Sequence, residues 1–164
     1  MRLFTLSTSL ILACILLTTP QAHAQTNLDL KVGPRVAVDV ADIDETAIGG
    51  TVRVFSGSSP FQASGAFDVY ASEGDATIFT ADLNLHYLIA LDNVQRVSPY
   101  VGAGGGVTRV SGREGAGSET DLGVNLVGGA EIDMRFITLF AQSQITLGDM
   151  FDRLGLSAGL LVNL

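Results

Sequence analysis

A chain of 164 residues has room for one domain, and its composition excludes an ordinary soluble one: 47% of residues are hydrophobic, 19 are glycine and 16% are charged. Mean hydropathy of +0.39 points to a membrane, yet no run of about eighteen apolar residues occurs, which excludes a transmembrane helix. The formal net charge of −8 argues against nucleic acid as a partner, because that binding needs basic patches.

In chain order the first element is a targeting segment. Arg2 supplies a positive start, Leu10–Leu17 is an apolar core, Pro20 breaks it, and Ala22-His23-Ala24 has the small-x-small cleavage pattern before Gln25. Residues 1–24 are therefore expected to be a cleaved signal peptide and residues 25–164 a single barrel domain. An apolar core this short cannot span a hydrocarbon layer of about 30 Å. Ile11-Leu12-Ala13-Cys14 is a poor lipoprotein box, since Leu12 fits badly and apolar residues follow Cys14. Cleavage removes Arg2 and the one cysteine, leaving 8 Lys+Arg against 17 Asp+Glu and a net charge of −9. The mature chain must hold its fold without disulfides.

The mature chain is dominated by period two. Across Leu28–Val40 the even positions Leu28, Leu30, Val32, Pro34, Val36, Val38 and Val40 are apolar, whereas Asp29, Lys31, Gly33, Arg35, Ala37 and Asp39 are small or polar. A helical period would mix the two sets, so this is a strand with one greasy face. The pattern recurs in Ile48–Ser56, Phe61–Ala71, Thr77–Leu91, a glycine-rich Val97–Val110, Thr120–Met134, Phe136–Leu147 and Leu154–Leu164. Most of these segments suit the roughly 9–11 residues of a tilted membrane strand. Connections such as Ser56–Pro60, Asp92-Asn93 and Gly112–Gly117 carry turn residues. No long crossover or helix interrupts them, so the expected fold is all-β: an eight-stranded antiparallel up-and-down transmembrane β-barrel closed between its first and last strands.

Several stretches resemble the small bacterial outer-membrane β-barrels, the OmpX-like and opacity-type proteins. Ser98-Pro99-Tyr100-Val101-Gly102-Ala103-Gly104-Gly105-Gly106 is similar to that group's fifth strand, Asn125-Leu126-Val127-Gly128-Gly129-Ala130-Glu131 to its sixth and Leu139-Phe140-Ala141-Gln142 to its seventh. The end of the chain resembles the family's assembly signal, with Ser157 and Gly159 followed by Val162 and Leu164. Leu164 stands where members usually carry an aromatic residue. The resemblance implies an integral outer-membrane location, contact with outer-membrane lipids and lipopolysaccharide, and the barrel-insertion machinery as a partner during assembly. It implies no one activity.

The polar faces carry Asp29, Lys31, Arg35, Asp39, Arg53, Asp68, Asp82, His86, Glu131 and Asp133. In an eight-stranded barrel, side chains fill the interior, so Arg35, Arg53, Asp68, Asp82, His86 and Glu131 are expected to form a structural lumen network. Within it the arginines are neutralised by acids such as Asp82 and Glu131. No cofactor, metal ligand or catalytic residue is expected, and the role read from this is structural or surface contact. Three alternatives stand: a narrow porin-like channel, a lipid A-modifying enzyme using His86 with a serine and an orienting acid, and a soluble lipocalin-like barrel with apolar faces turned inward. The Gly102–Gly106 run is no dinucleotide fingerprint, because Val107 takes the third glycine position and no helix follows; its glycines suit close packing and a bend in the wall.

With the mature amino end in the periplasm, residues 41–47, 72–76, 111–119 and 148–153 would face outward. The segments 56–60 and 92–96 and the turn near Met134-Arg135 would face the periplasm. The outward set holds Asp42, Asp44, Glu45, Glu73, Asp75, Glu114, Glu119, Asp149 and Asp152 against Arg113 and Arg153. This suits a solvated rim, or weak Ca²⁺ or Mg²⁺ sharing with lipopolysaccharide phosphates.

Overall fold

The alternation becomes eight strands: β1 (Leu28–Asp39), β2 (Thr46–Ser56), β3 (Phe61–Tyr70), β4 (Thr77–Leu88), β5 (Val97–Ser111), β6 (Ser118–Met134), β7 (Ile137–Gly148) and β8 (Arg153–Asn163). The computed structural model describes residues 28–41, 43, 45–71, 77–91, 96–111, 118–150 and 152–164. The expected signal segment with Ala22 and Ala24 lies outside these, as do Asp42, Asp44, Glu73, Asp75, Arg113 and Glu114. Each strand pairs antiparallel with its sequence neighbour, and β1 pairs with β8 from Lys31↔Asn163 to Asp39↔Gly155, closing the barrel. Closure leaves no open edge, so ladder hydrogen bonds satisfy the wall's backbone.

Both chain ends of the barrel lie together, with the Leu164 amide donating to the Leu30 carbonyl at 2.9 Å. We call this the terminal end and the opposite one the loop end. The wall sorts side chains as the period-two pattern requires. Leu28, Val36, Ile48, Phe67, Leu83, Leu85, Leu122, Leu126, Leu147 and Leu156 are exposed on its outside. The buried positions are mostly polar or charged, among them Arg35, Arg53, Asp68, Asp82, His86, Asn125, Glu131 and Arg153. A soluble lipocalin-like barrel would show the reverse, and that alternative is set aside. The distribution is the one a barrel in hydrocarbon requires.

Several boundaries differ from the sequence reading. β4 stops at Leu88 and not at Leu91. The Ile89 amide still donates to the Pro99 carbonyl at 2.8 Å, but Pro99 has no N–H to return the bond, so the ladder ends there. β7 starts at Ile137, because Arg135 and Phe136 form the two-residue turn. β8 begins at Arg153, which brings inside a residue expected on the outer rim; its side chain is buried.

The interior is also less uniformly polar than the alternation suggested. Tyr100, Val127, Phe140 and Leu161 are buried inward-facing positions. Each shares parity with polar lumen residues of its own strand, Val127 with Asn125, Phe140 with Gln142 and Leu161 with Ser157, so they fill the interior although their side chains are apolar.

A charge on the outer wall should therefore cost far more than one at the rim. Leu83→Arg, at 69% exposure mid-strand, is expected to lower folding stability in lipid vesicles by about 2–4 kcal/mol, against about 0–1 kcal/mol for Glu119→Arg at the loop end. Urea titrations of the refolded variants measure both.

Candidate functional site

The lumen is filled by side chains from all eight strands, arranged around Arg53. The β1–β2 register puts Arg53 opposite Lys31, and the β2–β3 register puts it opposite Ser64. Its Nη1 forms an ion pair with Glu131 Oε1. Its Nη2 donates to Tyr100 Oη at 3.0 Å, and Tyr100 Oη donates to Gln142 Oε1 at 3.1 Å. The guanidinium also lies over two rings, 5.0 Å from Tyr100 and 4.4 Å from Phe140, a favourable contact once water is excluded. Glu131 takes a second cation through its other oxygen: Lys31 Nζ lies 3.2 Å from Oε2. Lys31 reaches on to Asp133 at 3.1 Å, and Thr138 Oγ1 donates to the same carboxylate at 2.5 Å. This chain of alternating charge fills the terminal end of the lumen.

Towards the loop end a second network is centred on Asp82. Arg153 Nη2 and Asn125 Nδ2 both donate to Asp82 Oδ1 at 2.9 Å. Thr146 Oγ1 donates to Asn125 Oδ1 at 2.8 Å and accepts from Arg153 Nη2 at 3.1 Å. Asp82 was expected to neutralise Arg35 or Arg53. Its partner is instead Arg153, while Arg35 Nε sits 3.1 Å from Asp68 Oδ1 as an ion pair without hydrogen-bonding geometry. Asp121 is buried and holds the rim, accepting from the Asp149 and Met150 amides at 3.2 Å. The hollow among Arg35, Asp68, Tyr70, Asp82 and Arg153 measures about 20 Å³, room for about one water.

Small residues make this filling possible. Gly102 faces His86 across the β4–β5 ladder, and a Cβ on it would lie 2.6 Å from His86 Cδ2. Gly129 faces Tyr100 in the same way, where a Cβ would meet Tyr100 Oη at 2.6 Å. β5 and its neighbours pair continuously along the Gly102–Gly106 run. The glycines act there by leaving space for His86, Asn84 and Asp82 opposite them.

His86 does find a serine. Ser64 Oγ lies 3.1 Å from His86 Nε2, and His86 Nδ1 lies 3.4 Å from Gln62 Oε1. Tyr100 stacks on the imidazole with centroids 4.6 Å apart. The orienting group is thus a neutral amide and not an acid, and both Ser64 and His86 are buried. A serine nucleophile must reach substrate, and this one is closed in by the lumen's packing.

Of the expected network, Arg53, Glu131 and His86 come together in one cluster, with His86 linked through Tyr100 and Gln62. Asp82 anchors the other cluster with Arg153, beside the Arg35–Asp68 pair. Sequence reasoning missed Tyr100, Gln62, Gln142, Asn125 and Arg153 as members. Arg153 shares parity with Ser157, so extending the alternation of β8 by one residue would have found it. In the terminal segment Ser157 faces the lumen, Gly159 packs against Phe140, and Val162 and Leu164 are exposed on the outer wall.

The sequence matches no protein-family model and no curated protein. Solved structures share the fold. The N-terminal β-barrel domain of Pseudomonas aeruginosa OprF superposes with a TM-score of 0.67 at 14% identity, covering 83% of this chain and 97% of that one. Neisserial surface protein A gives 0.61 at 17% identity, covering 82% and 96%. Ail, the attachment invasion locus protein of Yersinia pestis, gives 0.60 at 12% identity, covering 84% and 97%. The chain has the fold of the small outer-membrane β-barrels.

Removing one partner of the central ion pair leaves a buried charge uncompensated. Glu131→Ala is expected to cost about 3–5 kcal/mol of folding stability, and the double change Arg53→Met with Glu131→Met to recover most of that loss. Denaturant midpoints of the three barrels in one detergent measure this.

Proposed function

We propose that this chain, with the fold of the small outer-membrane barrels, is an integral outer-membrane protein with a structural or surface-contact role. The observation that carries the reading is the closed interior. Ion pairs and amide hydrogen bonds link side chains from opposite walls, from Lys31 at the terminal end to Arg153 at the loop end. Such an interior gives a hydrated solute no path through the described residues and gives the Ser64–His86 pair no substrate. What remains available is surface: an apolar outer wall for lipid, and two ends.

Residues 1–24 serve export in this reading, with cleavage after Ala24. Outer-membrane phospholipid and lipopolysaccharide surround the wall. The insertion machinery reads Ser157, Gly159, Val162 and Leu164, whose last two side chains stand outside where another protein could reach them. The Yersinia pestis protein has also been crystallised with the heparin analogue sucrose octasulfate. Here the described loop-end residues Glu45, Glu119, Asp149 and Asp152 are acidic, which disfavours a polyanion at that end.

Planar bilayers holding the purified protein are expected to show no discrete conductance steps, while cells lacking it become more sensitive to detergent and bulky antibiotics. Reproducible unit steps would replace this reading with the narrow channel. Intact-mass measurement of the membrane-extracted protein should place its first residue at Gln25.

A further inference from the structure

We propose that Arg96 and Arg135 form a cradle at the terminal end for the phosphate of an anionic membrane phospholipid. The proposal rests on the membrane placement above and adds a ligand site to it.

Arg135 is the one described non-glycine residue with positive φ, at 65°. It is the first residue of the two-residue turn between β6 and β7, where Met134 pairs with Ile137 and the Phe136 amide donates to the Met134 carbonyl at 2.7 Å. That turn position favours glycine. A bulky cation held there in the left-handed region is strained, and retained strain of this kind is a mark of a working site. Arg96 comes from the start of the neighbouring strand. Its carbonyl accepts the Asp133 amide at 2.9 Å, which fixes it beside the end of β6. Arg96 and Arg135, together with Asp133 and Met134, line an open hollow of about 670 Å³.

Among the described residues both cations are available. Among the described residues neither guanidinium has an ion-pair partner. Asp133, the acid in the hollow, is already engaged by Lys31 and Thr138. The Arg135 guanidinium lies 6.0 Å from the centroid of the Phe136 ring.

The location selects the ligand. Leu28, Met134, Phe136 and Leu164 are all exposed at this end, with Phe136 at 74%. They are the last exposed apolar side chains on this side of the wall before the turns, which in a membrane-spanning barrel is the depth of lipid headgroups. Planar guanidinium forks match phosphate oxygens bidentately, and basic residues at this depth attract anionic lipid. Among the described residues the loop end carries the acids Glu45, Glu119, Asp149 and Asp152 with Arg109.

The test uses the full barrel in detergent micelles, titrated with phosphatidylglycerol, phosphatidylcholine or inorganic phosphate and read by native mass spectrometry. Wild type is expected to retain phosphatidylglycerol in preference to the other two. Arg96→Gln combined with Arg135→Gln should weaken retention by about tenfold, and Arg109→Gln, at the other end of β5, should not change it. Arg135→Gly separates binding from folding: it should hold or raise the thermal midpoint by relieving the positive φ, yet still weaken retention. Retention unchanged in the double variant, or lost equally in Arg109→Gln, overturns the site. Inorganic phosphate bound as tightly as lipid overturns the lipid assignment. In parallel, wild type is expected to float with phosphatidylglycerol vesicles. Failure to float overturns the membrane reading and the site together, whereas flotation without arginine-dependent retention overturns the site alone.

Discussion

Arg53 has to place a guanidinium in the middle of an interior that side chains close from every direction. A charge there is tolerable only if another charge and several polar atoms are brought to it. Glu131, Tyr100 and Gln142 supply these from β5, β6 and β7. Arg53 itself belongs to β2, so the interaction ties opposite walls of the barrel. Lys31 and Asp133 extend the same charge sequence towards the terminal end, and His86 joins it by stacking on Tyr100. The pair is worth little as a source of net stability compared with a well-packed apolar filling. What it fixes is which strands face one another across the lumen.

The space for this arrangement comes from pairing large inward residues with glycine across the ladders. His86 with Gly102, Tyr100 with Gly129 and Phe140 with Gly159 are such pairs. An eight-stranded barrel has an interior only as wide as its side chains, so bulk at one position must be matched by its absence at the next. The inward glycines and the closed lumen are therefore one property. The same packing encloses Ser64 and His86, which hold a nucleophile–base distance while both are buried.

With the interior occupied, what can interact is the outer wall and the two ends. The described loop-end residues Glu45, Glu119, Asp149 and Asp152 are acidic, and the terminal end carries Arg96 and Arg135 beside exposed apolar side chains.

Strand number, antiparallel order and the outward-facing set of side chains were legible from the sequence alone, because period two is a local property: whether Val36 or Arg35 points outward is decided by parity within β1. The sign of the interior was legible too, since Asp68, Asp82, His86 and Glu131 share the polar parity. The partners were not. That Asp82 holds Arg153, 71 residues away, while Arg53 takes Glu131, 78 residues away, depends on the shear of the closed barrel. That shear sets which inward positions share a level, and no local pattern encodes it. The same holds for the inward Leu161, Phe140 and Tyr100, which lie among apolar neighbours. Parity within each strand puts them inside with Ser157, Gln142 and Thr108, and Leu160 and Val162 outside; closure of β1 on β8 decided which polar groups they meet there.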